Sequence, residues 1–204
     1  MAKLYFRYGT VGSAKTLNLL AVAHNYAQQN KRCYIIKPAL DDRFGRETVA
    51  SRAGLEQPAD LVLETDAPLN LGDLAGVDCV VVDEAQFLSP AQIDELRGVT
   101  TNLNVPVICY GLRTDFRVGL FPGSRRLLEL ADAIEEIKTT CHYCNRKAVF
   151  NLKLADGKPT LAGPTIDLGT EEKYLPTCSH CFHDKLREAG WDVASSERIA
   201  TDAQ

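Results

Sequence analysis

Near the start of the chain, Gly9-Thr10-Val11-Gly12-Ser13-Ala14-Lys15-Thr16 follows the pattern G-x-x-x-x-G-K-[ST] in all places but one. No other stretch restricts the fold as much. An apolar and aromatic run, Leu4-Tyr5-Phe6-Arg7-Tyr8, precedes it, and Leu17, Leu20, Ala21 and His24 follow at helical spacing. Strand, small-residue loop and helix form the setting in which backbone N–H groups at a helix start cradle phosphate, helped by the helix dipole. In that setting Gly9, Thr10, Val11, Gly12, Ser13, Ala14, Lys15 and Thr16 would wrap the phosphates of a nucleotide. Lys15 adds a point charge at the β- and γ-phosphates, and Thr16 offers its hydroxyl to Mg²⁺. The misfit is Ala14, which stands where the pattern has its second glycine. Alanine is comfortable there only at negative φ. Taken alone, the loop also fits an ordinary strand–turn–helix.

A second signal supports the first. Asp78-Cys79-Val80-Val81-Val82-Asp83-Glu84 is a β-branched run that ends in two carboxylates, as a buried parallel strand does where its carboxyl end meets a site. Asp83 is the candidate to help hold Mg²⁺ and Glu84 the candidate base. Solvent-exposed acids capping a strand are the bland alternative. Further strands are predicted at 31–37, 61–63, 106–110 and 133–138. Helices are predicted from Ser89-Pro90, where serine caps and proline enters the first turn, and over 124–130, with a weak one at 69–74. Strands alternating with helices define an α/β domain with a parallel sheet. Between them, Asp41 to Arg46 and Ser51 to Gly54 read as polar loops, with Arg43, Arg46 and Arg52 as candidates to touch phosphate.

After Thr139 the texture changes. Cys141-His142-Tyr143-Cys144 and Cys178-Ser179-His180-Cys181 flank a predicted hairpin with Asp156-Gly157 at its turn. Two C-x-x-C pairs offer four thiolates to a structural Zn²⁺, with His142, His180 and His183 as possible substitutes. Cys33, Cys79 and Cys109 lie in apolar strands and read as inert core thiols. Seven cysteines in a chain without a signal-peptide pattern argue against a disulfide framework. The expected organisation is an α/β nucleotide-binding domain over 1–138, a zinc-binding domain over 139–190 and a disordered tail over 191–204. A formal charge of −4 gives no general attraction for nucleic acid or anionic membrane, and no apolar run approaches the roughly 20 residues of a span. A cytoplasmic location is the default expectation.

With these pieces in place, the chain resembles the thymidine kinases of the zinc-containing class, over roughly residues 1 to 185. The resemblance rests on Asp41-Asp42-Arg43-Phe44-Gly45, Ser51-Arg52-x-Gly54, Asp83-Glu84-Ala85-Gln86-Phe87-Leu88, Cys109-Tyr110-Gly111-Leu112-Arg113-Thr114-Asp115-Phe116 and the two cysteine pairs. It implies a RecA-like phosphate-loop sheet with a small zinc-binding lasso domain and a homotetramer. It also implies transfer of the ATP γ-phosphate to the 5′-hydroxyl of thymidine, with feedback by thymidine triphosphate. Residue by residue, it implies Lys15, Arg43 and Glu84 in catalysis, Thr16 and Asp83 at Mg²⁺, and Asp41 near the donor phosphates. Val11, Phe87, Leu112 and Phe116 would surround thymine, Tyr174 would close the pocket, and a lasso over about Ala162 to Tyr174 would read the thymine edge. Thr170 departs from the second glycine of a Gly-Gly pair in that lasso.

Other classes remain open on sequence alone. Asp83-Glu84-Ala85-Gln86 also resembles a helicase box, in which the glutamate activates water. An ATPase motor generally needs two such domains, more than 204 residues hold. A nucleotide sensor with a zinc module is the other alternative, prompted by Ala14 and Thr170.

Overall fold

The computed structural model describes residues 1–165 and 173–191. In chain order the main elements are β1 (Leu4–Tyr8), α1 (Lys15–Gln28), β2 (Cys33–Pro38), β3 (Thr48–Ala50), β4 (Glu56–Pro58), β5 (Leu61–Leu63) and β6 (Cys79–Val82). They continue with α2 (Pro90–Asn102), β7 (Val107–Gly111), α3 (Pro122–Leu130), β8 (Ala133–Glu136), β9 (Phe150–Ala155), β10 (Lys158–Pro159), β11 (Tyr174–Thr177) and α4 (Ser179–Glu188).

Among the described residues, six strands form one sheet in the order β5-β2-β6-β7-β1-β8, with every neighbouring pair parallel. Both faces are covered, so the central strands are apolar throughout, and all four residues of β6 are fully buried. The period of two sorts them. Val80 and Val82 join Leu4, Phe6, Val107 and Cys109 against Ile93, Leu96 and Val99 of α2 and Leu127 of α3. Cys79 and Val81 join Ile35, Ile108 and Tyr110 against Leu19, Leu20 and Ala23 of α1. This is the α/β parallel sheet that the sequence predicts, and β7 lies between the strand that feeds the phosphate loop and the strand that ends in carboxylates.

Local chemistry fixes the helix starts around that edge. Ser89 Oγ accepts from the Gln92 N–H at 3.4 Å, Gln92 Oε1 accepts from the Ser89 N–H at 3.0 Å, and Pro90 enters the first turn of α2. Gly123 lets α3 approach the turn after β6. A Cβ there would sit 2.5 Å from the Leu88 carbonyl oxygen and 2.7 Å from that of Ala85. Three elements differ from the sequence reading. The weak helix at 69–74 is a single 3-10 turn over Leu71–Leu74. The predicted strand 133–138 stops at Glu136. The polar stretch around 48–58 folds into an antiparallel hairpin, β3–β4, which the sequence reading lacked.

Beyond β8 the chain changes architecture. β10-β9-β11 form a small antiparallel sheet backed by α4. Its buried core is Leu152, Leu161, Phe182 and Leu186 together with Phe116, which comes from the loop after β7. Trp191 packs on the rim of this cluster. The rest of the predicted tail, residues 192–204, lies outside the described residues, as do Leu168, Gly169 and Thr170 of the predicted lasso.

Candidate active site

A cavity of about 280 Å³ opens at the carboxyl ends of β1, β6 and β7, where parallel sheets of this kind bind ligands. Its wall contains Val11, Gly12, Ser13, Ala14, Lys15 and Thr16 from the loop, Asp41 and Arg43 from the stretch after β2, and Asp83 and Glu84 from the end of β6. Phe87, Leu112, Phe116 and Tyr174 line it as well. Gly9 and Thr10 lie outside it, in a small adjoining recess with Arg113 and Asn151. Of the other sequence candidates, Arg52 lines the cavity, whereas Arg46 pairs with Glu64 on the surface.

The loop closes on itself. The Ser13 N–H donates to the Thr10 carbonyl at 3.3 Å. Lys15 is buried, and its Nζ donates to the same carbonyl at 2.7 Å. Burial pushes the ammonium below its ordinary range, against the pull of Glu84 and Asp83. Ala14 takes φ 62° and ψ 30° at the start of α1. This is the left-handed conformation in which a Cβ is strained and glycine is not. The departure from the motif therefore carries a real conformational cost.

Asp83 and Glu84 are both buried, so they are not exposed strand caps. Asp83 accepts from Thr16 Oγ1 at 3.0 and 3.2 Å. Burial, then the adjacent Glu84 charge, pushes its carboxyl up to about 7. Glu84 sits at φ 46° and ψ 39°, a strained turn that aims it into the cavity. Burial would raise its pKa as well, but the charges of Arg43 and Lys15 and hydrogen bonds from Gln86 and Arg43 outweigh that and hold it low. Gln86 Nε2 donates to Glu84 at 2.5 Å. Arg43 bridges the two acidic segments, donating to Asp41 at 2.7 Å and to Glu84.

Several residues without an assigned role in the sequence reading hold this arrangement. Gln86 Oε1 accepts from the Leu112 N–H at 2.9 Å, tying the Glu84 turn to the end of β7. Lys37 is a buried lysine on β2 whose Nζ donates to the carbonyls of Gly45 (3.0 Å) and Thr48 (2.8 Å), 3.9 Å from Asp41. It pins the loop that carries Asp41 and Arg43. Asn151 Oδ1 accepts from the Val11 N–H at 2.9 Å, joining β9 to the phosphate loop. A lysine inside an apolar strand was a usable signal for the second of these, but Asn151 carried none. At the other end of the cavity Phe116 and Tyr174 pack with ring centroids 6.3 Å apart, and Phe87 meets Phe121 edge-on at 5.8 Å.

The Sγ atoms of Cys141, Cys144, Cys178 and Cys181 lie within 4.8 Å of one another, with Cys144 at 3.7 Å from both Cys178 and Cys181. Four thiolates around one Zn²⁺ at about 2.3 Å stand about 3.8 Å apart, so this set fits the ion. Backbone N–H groups of Tyr143 and Cys181 donate to Cys141 and Cys178 sulfur at 3.4 Å, which supports thiolate charge. The histidines are engaged elsewhere, His180 with Asp184 and His183 with the Ser179 carbonyl. Among the described residues, the group that could hold a metal consists of these four cysteines, with no histidine.

A cavity lined by both a phosphate loop and a buried carboxylate pair, at the carboxyl edge of a parallel sheet, defines a phosphate-loop protein, and four of its cysteines are placed to hold a metal. The sequence narrows the class, because a family model described as "Thymidine kinase" matches residues 2–182. The chain belongs to the thymidine kinase family. A thymidine kinase of Lactobacillus acidophilus is 43% identical over 197 residues, covering 91% of this chain and 99% of the relative. One of Streptococcus gordonii is 45% identical over 187 residues (89% and 97%), and one of Chromobacterium violaceum 41% over 184 (90% and 99%). A solved structure described as two coordinating Pif1 helicases at forked DNA aligns with TM-score 0.40 and 15% identity, covering 66% of this chain and 39% of that one. So slight a likeness bears on neither fold nor function.

Two outcomes are expected. Ala14→Gly removes a left-handed alanine and stabilises the protein by about 0.5–1 kcal/mol, seen as a higher urea midpoint at unchanged slope. A lower midpoint contradicts the strain argument. The purified protein carries one zinc per cysteine cluster, and Cys178→Ser abolishes it with a fall of about 5 °C or more in melting temperature. Full zinc occupancy in that variant contradicts the ligand assignment.

Proposed function

We propose that the chain transfers the γ-phosphate of ATP to the 5′-hydroxyl of thymidine, giving thymidine monophosphate. The observation that carries this reading is Glu84, buried in one cavity with both the phosphate loop and the Phe87–Phe116–Tyr174 wall. A carboxylate placed between a phosphate cradle and an apolar, aromatic seat suits a hydroxyl acceptor on a flat base.

The loop amides and Lys15 would hold the donor phosphates, with Asp41 and Arg43 beside them. Arg43 would offset charge on the transferred group and Glu84 would accept the hydroxyl proton. That Glu84 is held below its ordinary pKa agrees with a loose phosphoryl transfer, in which the nucleophile gives up its proton late and no strong base is needed. Thr16 and Asp83 fit Mg²⁺, since a hydroxyl and a buried carboxylate are hard oxygen donors and the Asp83 carboxyl, pushed up to about 7, is short of positive charge. Mg²⁺ bound there would neutralise phosphate charge. Zn²⁺ at the four cysteines would serve folding, because the unit around it has a small core that borrows Phe116.

Four further parts of the proposal, the homotetramer, feedback by thymidine triphosphate, the division at residues 138/139 and the cytoplasmic location, rest on the family resemblance and default expectation. Among the described residues no helix is long and apolar enough to cross a membrane.

Glu84→Gln keeps the shape and cannot take a proton. It is expected to retain ATP and thymidine binding while kcat falls by about 10²–10⁴. Turnover equal to the parent protein removes Glu84 as base.

A further inference from the structure

We propose that Arg117 is a positioning residue for the nucleoside end of the cavity, locking the ring of Phe116 to the chain stretch 161–165. The proposal rests on the reading of Phe116 and Tyr174 as the thymine wall. Arg117 follows Phe116 directly, and its guanidinium carbon lies 4.9 Å from the ring centroid of Phe116. The same guanidinium donates to the Leu161 carbonyl at 3.0 Å, to the Gly163 carbonyl, and to Thr165 Oγ1 at 3.4 Å. One planar fork thus engages an aromatic face and three points on a strand-free stretch, a combination that the ammonium of lysine cannot reproduce.

A second cation acts on the same ring. Lys153 of β9 is buried, its Nζ lies 4.6 Å from the Phe116 centroid, and it donates to the Pro164 carbonyl at 3.5 Å. Its backbone pairs with Tyr174 across β9–β11. Gly163 fits the chain around it at φ 93°, where a Cβ would sit 3.0 Å from Lys153 Nζ. Phe116, Thr165 and Tyr174 face the cavity, while Arg117 and Lys153 stand behind that wall. Among the described residues that line the cavity neither cation appears, so in this proposal both act through the wall. They set where the aromatic wall and Thr165 stand.

The test is steady-state kinetics of zinc-loaded full-length protein, with thymidine and ATP varied separately, for Arg117→Ala, Arg117→Lys and Phe116→Ala. Arg126→Ala, at an exposed ion-pair site on α3, is the control. Arg117→Ala is expected to raise the thymidine KM about tenfold, or about 1.4 kcal/mol, with kcat and the ATP KM within about twofold of the parent. Arg117→Lys restores charge near the ring but not the fork and falls between; it decides the matter alone if the alanine variant does not fold. A thymidine KM unchanged in both Arg117 variants, beside a raised one in Phe116→Ala, overturns the proposal and leaves the wall intact. Parallel rises in both KM values with a lowered melting temperature also overturn it, as they mark a general structural role. No change in Phe116→Ala overturns the wall reading and this proposal with it.

Discussion

Two carboxylates side by side in the protein interior repel each other and lose their water, and the rest of the site is the answer to that problem. Asp83 and Glu84 end the most buried strand of the sheet, so their charge has to be met by groups brought in from elsewhere. Thr16 comes from the start of α1, Lys15 from the phosphate loop, Arg43 from the loop after β2, and Gln86 from the turn that follows β6. The environment separates the pair electrostatically. Burial and the neighbouring Glu84 charge push Asp83 up to about 7, whereas Arg43 and Lys15 hold Glu84 low, so Glu84 carries the firmer negative charge of the pair.

This arrangement explains why the small C-terminal unit belongs to the site. Its β9 reaches the phosphate loop through Asn151 and the aromatic wall through Lys153, and its β11 supplies Tyr174. The four cysteines gather at one end of that antiparallel sheet, where the start of β9 lies beside the end of β11, since Cys144 precedes β9 and Cys178 follows β11. A metal at this knuckle would hold the strands that reach into the cavity without standing in the cavity itself.

Much of this was legible because the signals are local. The phosphate loop, the apolar run ending in Asp83-Glu84, the Ser89-Pro90 cap and the paired cysteines each announce themselves within a few residues. What stayed hidden depends on contacts far apart in sequence. Val11 and Asn151 are 140 positions apart, and neither residue type signals the other. The sign of φ at Ala14 follows from how the loop closes on Thr10, which no propensity reports. The β3–β4 hairpin lacks both an apolar alternation and a tight-turn dipeptide, so tertiary contacts decide it. Phe116 could be read as wall or as core, and it is both, lining the cavity while filling the centre of the small unit.

The central claim is that one cavity joins phosphate donor and nucleoside acceptor across Glu84. The most direct measurement is ADP release from ATP and Mg²⁺ by the purified protein, with and without thymidine, and with deoxycytidine and deoxyguanosine as comparisons. The account predicts release that depends on thymidine, with thymidine monophosphate formed in equal amount. Release of ADP at the same rate with any nucleoside or none would contradict it.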